Sequence, residues 1–74
     1  MAWFIARSEN QVKKVKYAKE CSCFYSCGEL TFWNEVEDKE ICTIQVTDIQ
    51  VAKEIMKEFK RQAPYQTKCL IYDQ

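Results

Sequence analysis

The sequence predicts an α+β fold, in which one amphipathic helix packs on one face of an antiparallel sheet of four or five strands. Apolar residues recur at helical spacing over residues 48–62, and the segments on either side alternate as half-buried strands do. The single glycine of the 74-residue chain lies in a predicted turn. The expected element order is β-β-β-β-α-β, and a chain of this length is expected to form a single domain, residues 1–74.

The N-terminal third is predicted to form two strands. Residues 3–5 (Trp-Phe-Ile) are the first. Residues 8–11 (Ser-Glu-Asn-Gln) fit a helical capping box, but no helical stripe follows them. Alternation of small and aromatic residues instead favours a strand over about residues 15–25. Cys27 and Gly28 then supply a turn.

Two further strands and their connection come next. Residues 29–36 and 41–47 both alternate, and the polar stretch 37–40 joins them. This arrangement predicts a β-hairpin over residues 30–47. Residues 67–72, short and rich in β-branched and aromatic side chains, are predicted to form the last strand.

The helix over residues 48–62 has the clearest signals. Its apolar stripe is formed by Ala52, Ile55, Met56, Phe59 and Ala63. Thr47 is the predicted N-cap, with Gln50 reaching back to it. Lys60 and Arg61 suit the negative end of the helix dipole, and Pro64 prevents continuation.

Composition disfavours several classes of protein. An apolar fraction of 47% is too high for a disordered chain. No apolar run approaches the ~20 residues of a membrane span, and the N-terminus lacks the pattern of a signal peptide. Histidine is absent, which removes the commonest general base and metal ligand. We therefore expect a cytoplasmic protein that is not an enzyme and has no membrane partner.

The acidic residues are concentrated in one region. Residues 29–48 contain six acidic residues and one lysine, a net charge of −5. The candidate partner-binding residues lie here: Trp33, Glu35, Glu37, Asp38 and Glu40. Such a stretch can enter a basic groove built for nucleic acid, because carboxylates and phosphates attract the same lysines and arginines. The alternative is a solvated hairpin tip.

A basic segment precedes the acidic one. Its candidate nucleic-acid-binding residues are Lys13, Lys14, Lys16, Tyr17 and Lys19. Lysines around an aromatic ring can hold a phosphate backbone and stack a base. However, the isoelectric point of about 6.2 is low for a nucleic-acid-binding protein. The alternative is an edge strand that lysines protect from aggregation.

Five cysteines leave three alternatives open. Cys21, Cys23 and Cys27, with Cys42 or Cys69, could supply four thiolates to zinc. The spacing lacks the usual two separated pairs, so reduced and mostly buried thiols are favoured, and a disulfide is the third alternative. No cofactor is expected unless the zinc alternative holds.

Aromatic residues make up 14% of the chain, more than so small a core is expected to absorb. Trp3, Tyr25, Trp33 and Tyr65 are candidates for an exposed patch. Exposed aromatic side chains are common anchors of protein interfaces. They predict a binding surface for a partner or for a second copy in a homodimer.

A strand-helix-strand layout is predicted for about residues 40–72, from residues 46–55 (Val-Thr-Asp-Ile-Gln-Val-Ala-Lys-Glu-Ile) and from the final strand ending in Leu70, Ile71 and Tyr72. This layout resembles that of small phage-encoded inhibitors. Anti-CRISPR proteins and phage inhibitors of host RNA polymerase both include such examples. The resemblance implies stoichiometric binding to a host protein complex, such as a Cas effector, in the host cytoplasm.

Overall fold

The computed structural model describes residues 3–63 and 67–72, which form six strands and one helix. In chain order these are β1 (Trp3–Arg7), β2 (Val12–Lys16), β3 (Cys21–Ser26), β4 (Glu29–Asn34), β5 (Lys39–Gln45), α1 (Ile49–Gln62) and β6 (Lys68–Ile71). The predicted α+β class is confirmed. Five strands precede the helix in place of the four expected, and they belong to two sheets.

Strands β1 and β2 form a separate antiparallel ribbon, in which Phe4 pairs with Val15. Residues 8–11 make its turn, closed by a 2.9 Å hydrogen bond from the Ser8 N–H to the Gln11 carbonyl. The predicted strand over 15–25 is wrong: the chain leaves the ribbon at Tyr17 and enters the second sheet at Cys21. The break occurs because the Tyr17 ring turns into the core.

The second sheet has the strand order β5-β4-β3-β6. Strands β3 and β4 are joined by the predicted Cys27–Gly28 turn, whose φ angles of 51° and 77° suit a two-residue hairpin. Strands β4 and β5 are also antiparallel, with a bulge beside Trp33. Strand β6 departs from the antiparallel expectation: it lies parallel to β3, on the sheet edge away from β5, after the helical crossover.

Helix α1 begins one residue later than predicted, and its N-cap is Asp48 rather than Thr47. The Asp48 carboxylate accepts a 2.9 Å hydrogen bond from the Gln50 N–H. Thr47 instead donates its hydroxyl to the Glu9 carboxylate at 3.0 Å. The expected end of the helix at Pro64 lies outside the described residues.

The helix, the ribbon and one face of the second sheet share a core. Four helical residues are buried as predicted: Ala52, Ile55, Met56 and Phe59. The Phe59 ring lies 5.2 Å from Phe4, 4.8 Å from Tyr17 and 4.8 Å from Phe32, centroid to centroid. Phe59 therefore joins the ribbon, the helix and the sheet. Within the described ranges, no helix has the length and hydrophobicity needed to cross a membrane.

Candidate binding surfaces

What we call the acidic turn, residues 35–40, comprises the β4–β5 connection, residues 35–38, and the first two residues of β5, Lys39 and Glu40. The Asn34 side chain organises it by accepting hydrogen bonds from the Val36 and Glu37 N–H groups, both at 3.0 Å. Asp38 sits in the left-handed region with φ 55°, which Asp tolerates better than most residues. All six residues of the turn are exposed, and Lys39 pairs with Glu37 at 3.2 Å.

Trp33 connects the acidic turn to the sheet. It is half-buried and lies opposite Glu40 across the β4–β5 pair. At the other side of β4, the Ser22 hydroxyl donates a 2.6 Å hydrogen bond to the Glu35 carboxylate. The structure thus brings the five predicted partner-binding residues to one end of the sheet.

The sheet face that α1 does not cover carries an apolar surface, which we call the open face: Phe24, Trp33, Leu70 and Tyr72. Leu70 and Tyr72 are about half exposed, at 50% and 51%, and the Tyr72 ring meets Phe24 edge-on at 6.0 Å. The groove between them also includes Ser22, Glu35 and Lys68. The open face therefore meets the acidic turn where Trp33 lies beside Glu35.

Sequence reasoning found only part of the open face. Trp33 was among the aromatic residues predicted to be exposed, whereas Phe24 and Leu70 were not among the candidates. Tyr25, which was a candidate, is buried, with its hydroxyl donating to the Val46 carbonyl at 2.8 Å. The alternation that places Phe24 opposite the cysteines was the available signal for its exposure. Tyr65 lies outside the described residues.

The basic segment does not form the predicted surface. Tyr17 is buried, donates its hydroxyl to the Phe59 carbonyl at 2.9 Å and cannot stack a base. Lys13 donates to the Thr43 carbonyl at 2.9 Å, and so helps to close the outer edge of β5. Lys19 lies in the β2–β3 connection.

Trp3, and not Tyr17, is the exposed aromatic residue beside the lysines. The ammonium groups of Lys14 and Lys16 lie 5.1 Å and 6.0 Å from its ring centroid. Trp3, Ile5 and Arg7 alternate on the exposed side of β1, and the two lysines face them from β2. We call these five residues the ribbon face. Lysine stacking on Trp3 was missed because it depends on strand pairing.

The acidic and basic segments are neighbours. A groove beside Tyr17 and Ala18 is lined by charged residues of both signs: Lys16, Lys19, Lys39, Glu37 and Glu40. The lysines therefore offset part of the negative field at the base of the acidic turn. Glu37, Asp38 and Glu40 remain exposed, so a partner can reach their charges.

The structure does not bring the cysteines of the zinc alternative together. Cys21 and Cys23 are buried on β3, Cys27 is exposed in the β3–β4 turn, and Cys42 is half-buried on β5. In the part of the chain that the structure describes, no three cysteine or carboxylate side chains are placed to hold a metal ion. Burial raises the pKa of both the Cys21 and Cys42 thiols and so favours their neutral form.

Cys23 and Cys69 form a close thiol pair. They are register partners in the parallel β3–β6 ladder, and the Cys23 thiol donates to the Cys69 sulfur with the two sulfurs 3.2 Å apart. This hydrogen bond, aided by the positive charge of Lys60, lowers the pKa of Cys69 to about 7. The same contact, together with burial, raises the pKa of Cys23. Cys69 is thus the more acidic thiol of the pair.

Two surfaces and one thiol pair are therefore the chemically distinctive features of the described chain. The acidic turn with the open face is apolar and negative, and the ribbon face is aromatic and positive. Comparisons of the chain with protein-family models, with curated proteins and with solved structures found no significant match.

Proposed function

We propose that the protein is a non-catalytic binding protein that acts through the acidic turn and the adjoining open face. The observation that carries this proposal is the continuity of the two surfaces at Trp33 and Glu35. An apolar centre with aromatic anchors and a charged rim is the usual composition of a protein interface.

The sign of the rim favours a basic partner. Glu37 and Asp38 lie in the β4–β5 connection, whose backbone is ordered by Asn34, and Glu40 lies at the start of β5, so little backbone entropy is lost when they are bound. A row of carboxylates attracts the lysines and arginines that line a nucleic-acid groove. The layout of residues 40–72 resembles that of phage-encoded inhibitors. We therefore propose a stoichiometric inhibitor of the anti-CRISPR kind, whose target is a Cas effector complex in the host cytoplasm.

The ribbon face favours a second candidate, a nucleic-acid-binding module without zinc. Trp3 is 46% exposed and has two ammonium groups within 6.0 Å of its ring centroid, with Arg7 on the same face. An aromatic ring beside cations can stack a base while the cations hold phosphate. Three cations make a small footprint, which places this candidate second.

Charge reversal at the acidic turn tests the first candidate. Glu37→Lys with Glu40→Lys changes the net charge by +4 and leaves the strained position of Asp38 untouched. We expect this variant to lose at least about tenfold in affinity for the partner, because close charge pairs across an interface become repulsive. Glu9→Lys with Glu54→Lys is the matched control, since it makes the same change in net charge outside the turn.

The measurement is capture from host lysate at moderate salt, followed by titration of the purified partner. A Cas subunit retained by the wild type and the control, but lost by the turn variant, would support the proposal. If a host RNA polymerase subunit is retained by the wild type and the control but lost by the turn variant, the polymerase and not a Cas effector is the target. Equal retention by all three proteins would rule out the acidic turn, and retention of nucleic acid alone, lost at higher salt, would favour the ribbon face.

A further inference from the structure

The thiol pair suggests a chemistry that partner binding does not use. We propose that Cys23 and Cys69 form a reversible disulfide that fastens β6 to β3, with a hydroperoxide such as hydrogen peroxide as the oxidant. The proposal rests on their pairing in the parallel ladder and on the 3.2 Å between their sulfurs. It is independent of the partner proposed above.

The backbone geometry already suits a disulfide. Neighbouring strands lie about 4.8 Å apart, and disulfide-linked residues have Cα atoms about 4.4–6.8 Å apart. The sulfurs must approach from 3.2 Å to about 2.05 Å, which small side-chain rotations can supply. The other buried or half-buried cysteines lack such a partner in register: Cys21 faces Asn34, and Cys42 faces Phe32.

The two sulfurs differ in access. Cys23 is fully buried, whereas Cys69 is half-buried and lines a groove with Met56, Ile71 and three lysines of α1. Those lysines are Lys53, Lys57 and Lys60. Positive charge around a partly accessible sulfur favours the thiolate, which is the nucleophilic form. Cys69 therefore reacts with the oxidant first, and Cys23 then attacks the oxidised Cys69.

The reaction balances in two steps. The Cys69 thiolate attacks one peroxide oxygen, the O–O bond breaks, and hydroxide leaves and is protonated to water, which makes Cys69 a sulfenic acid. The Cys23 sulfur then attacks the Cys69 sulfur and the S–O bond breaks. Hydroxide leaves with the Cys23 proton as a second water. The two thiols lose two electrons, and peroxide is reduced to two waters.

The Cys23–Cys69 disulfide would link β6 covalently to β3. In the described chain β6 is an edge strand, paired with β3 on one side, and it carries Leu70 of the open face. The two cysteines are 46 positions apart, so the bond closes a long loop and restricts the unfolded chain strongly. Oxidation is expected to raise the melting temperature by at least about 5 °C, and a thiol reductant should reverse the change.

Peptide mapping of the whole protein tests the proposal without any substitution. After treatment with hydrogen peroxide, trypsin should release residues 20–39 linked to residues 69–74, with the loss of two hydrogen atoms. Fragmentation should then assign the link to Cys23. A link to Cys21 or Cys27, or oxidation of Cys69 to sulfinic acid without any link, would overturn the proposal.

Matched variants separate the pair from general oxidation. Cys69→Ser should abolish both the link and the rise in melting temperature, whereas Cys42→Ser, at another half-buried cysteine, should keep both. Wild-type protein whose melting temperature is unchanged by complete Cys23–Cys69 oxidation would show that the bond does not fasten β6. That result would also overturn the proposal.

Discussion

Individual aromatic residues hold the three parts of this small protein together. Phe59 contacts the rings of Phe4, Tyr17 and Phe32, so one helical side chain meets the ribbon, the connection after it and the second sheet. The Tyr17 hydroxyl also donates a hydrogen bond to the Phe59 carbonyl. This is one of the last four carbonyls of α1, which lack a hydrogen-bond partner within the helix. A tyrosine there serves as both a core residue and a helix cap.

The Tyr17 hydroxyl makes stability depend on pH in a defined window. Burial, with a smaller contribution from the Cys21 thiol, raises the pKa of Tyr17 from 10.0 to about 12. Stabilisation by the neutral hydroxyl is therefore complete below about pH 10 and is lost between pH 10 and about 12, where the unfolded chain ionises first.

Tyr17→Phe tests this dependence. At pH 8 we expect the substitution to lower the free energy of unfolding by about 1–3 kcal/mol, since the buried Phe59 carbonyl loses its hydrogen-bond donor. Between pH 10 and 12 the difference in free energy of unfolding between the two proteins should narrow, because only the wild type has a buried hydroxyl that must stay neutral in the folded state. Urea unfolding at pH 8, 10 and 11 measures this difference, and the other tyrosines cancel in it. A difference in free energy of unfolding that stays constant with pH would contradict the raised pKa of Tyr17.

At the scale of elements, the start of α1 shows how a local signal can be misassigned by one residue. Thr47 and Asp48 are both good N-cap residues, and the sequence pattern suits either. The Glu9 carboxylate accepts the Thr47 hydroxyl, which leaves Asp48 to receive the Gln50 N–H. A contact between distant parts of the chain therefore selects the cap.

Substitution of the two residues distinguishes their roles. Asp48→Ala should destabilise the protein by about 1 kcal/mol, because a helical N–H loses its acceptor. Thr47→Ala should cost less than about 0.5 kcal/mol, since its hydrogen bond to Glu9 is exposed. Denaturant unfolding of both variants against the wild type gives the comparison. A larger loss for Thr47→Ala would return the cap to the residue predicted from sequence.

At the scale of the whole molecule, the two sheets are expected to unfold together. The strands that the structure describes form no backbone ladder between the two sheets, but Phe4 of the ribbon and Phe32 of the second sheet both pack on Phe59. A common core in so small a chain makes each sheet dependent on the other.

The two tryptophans report on the two sheets separately, since Trp3 lies on β1 and Trp33 on β4. Trp33→Phe leaves a probe of the ribbon, and Trp3→Phe leaves a probe of the second sheet. In each variant, the tryptophan fluorescence and far-UV circular dichroism transitions should share one midpoint in urea. An earlier fluorescence midpoint in Trp33→Phe would show that the ribbon opens independently.

Short-range patterns in the sequence determined the helix over residues 49–62, its buried stripe and the turn at Cys27 and Gly28. Each depends on residues within a few positions of one another: apolar side chains on successive helical turns, or a glycine where φ must be positive. The acidic turn was equally visible, because charge and polarity need no tertiary contact to be recognised.

Tertiary structure alone decided which strands pair and which side chains become neighbours. The break at Tyr17 depends on Phe59, 42 positions away, and the parallel docking of β6 brings Cys69 to Cys23 and Leu70 beside Phe24. Alternation identifies two faces of a strand but not the strand beside it or the face that is covered. Long-range packing energy makes that choice, and it therefore created the open face, the ribbon face and the thiol pair.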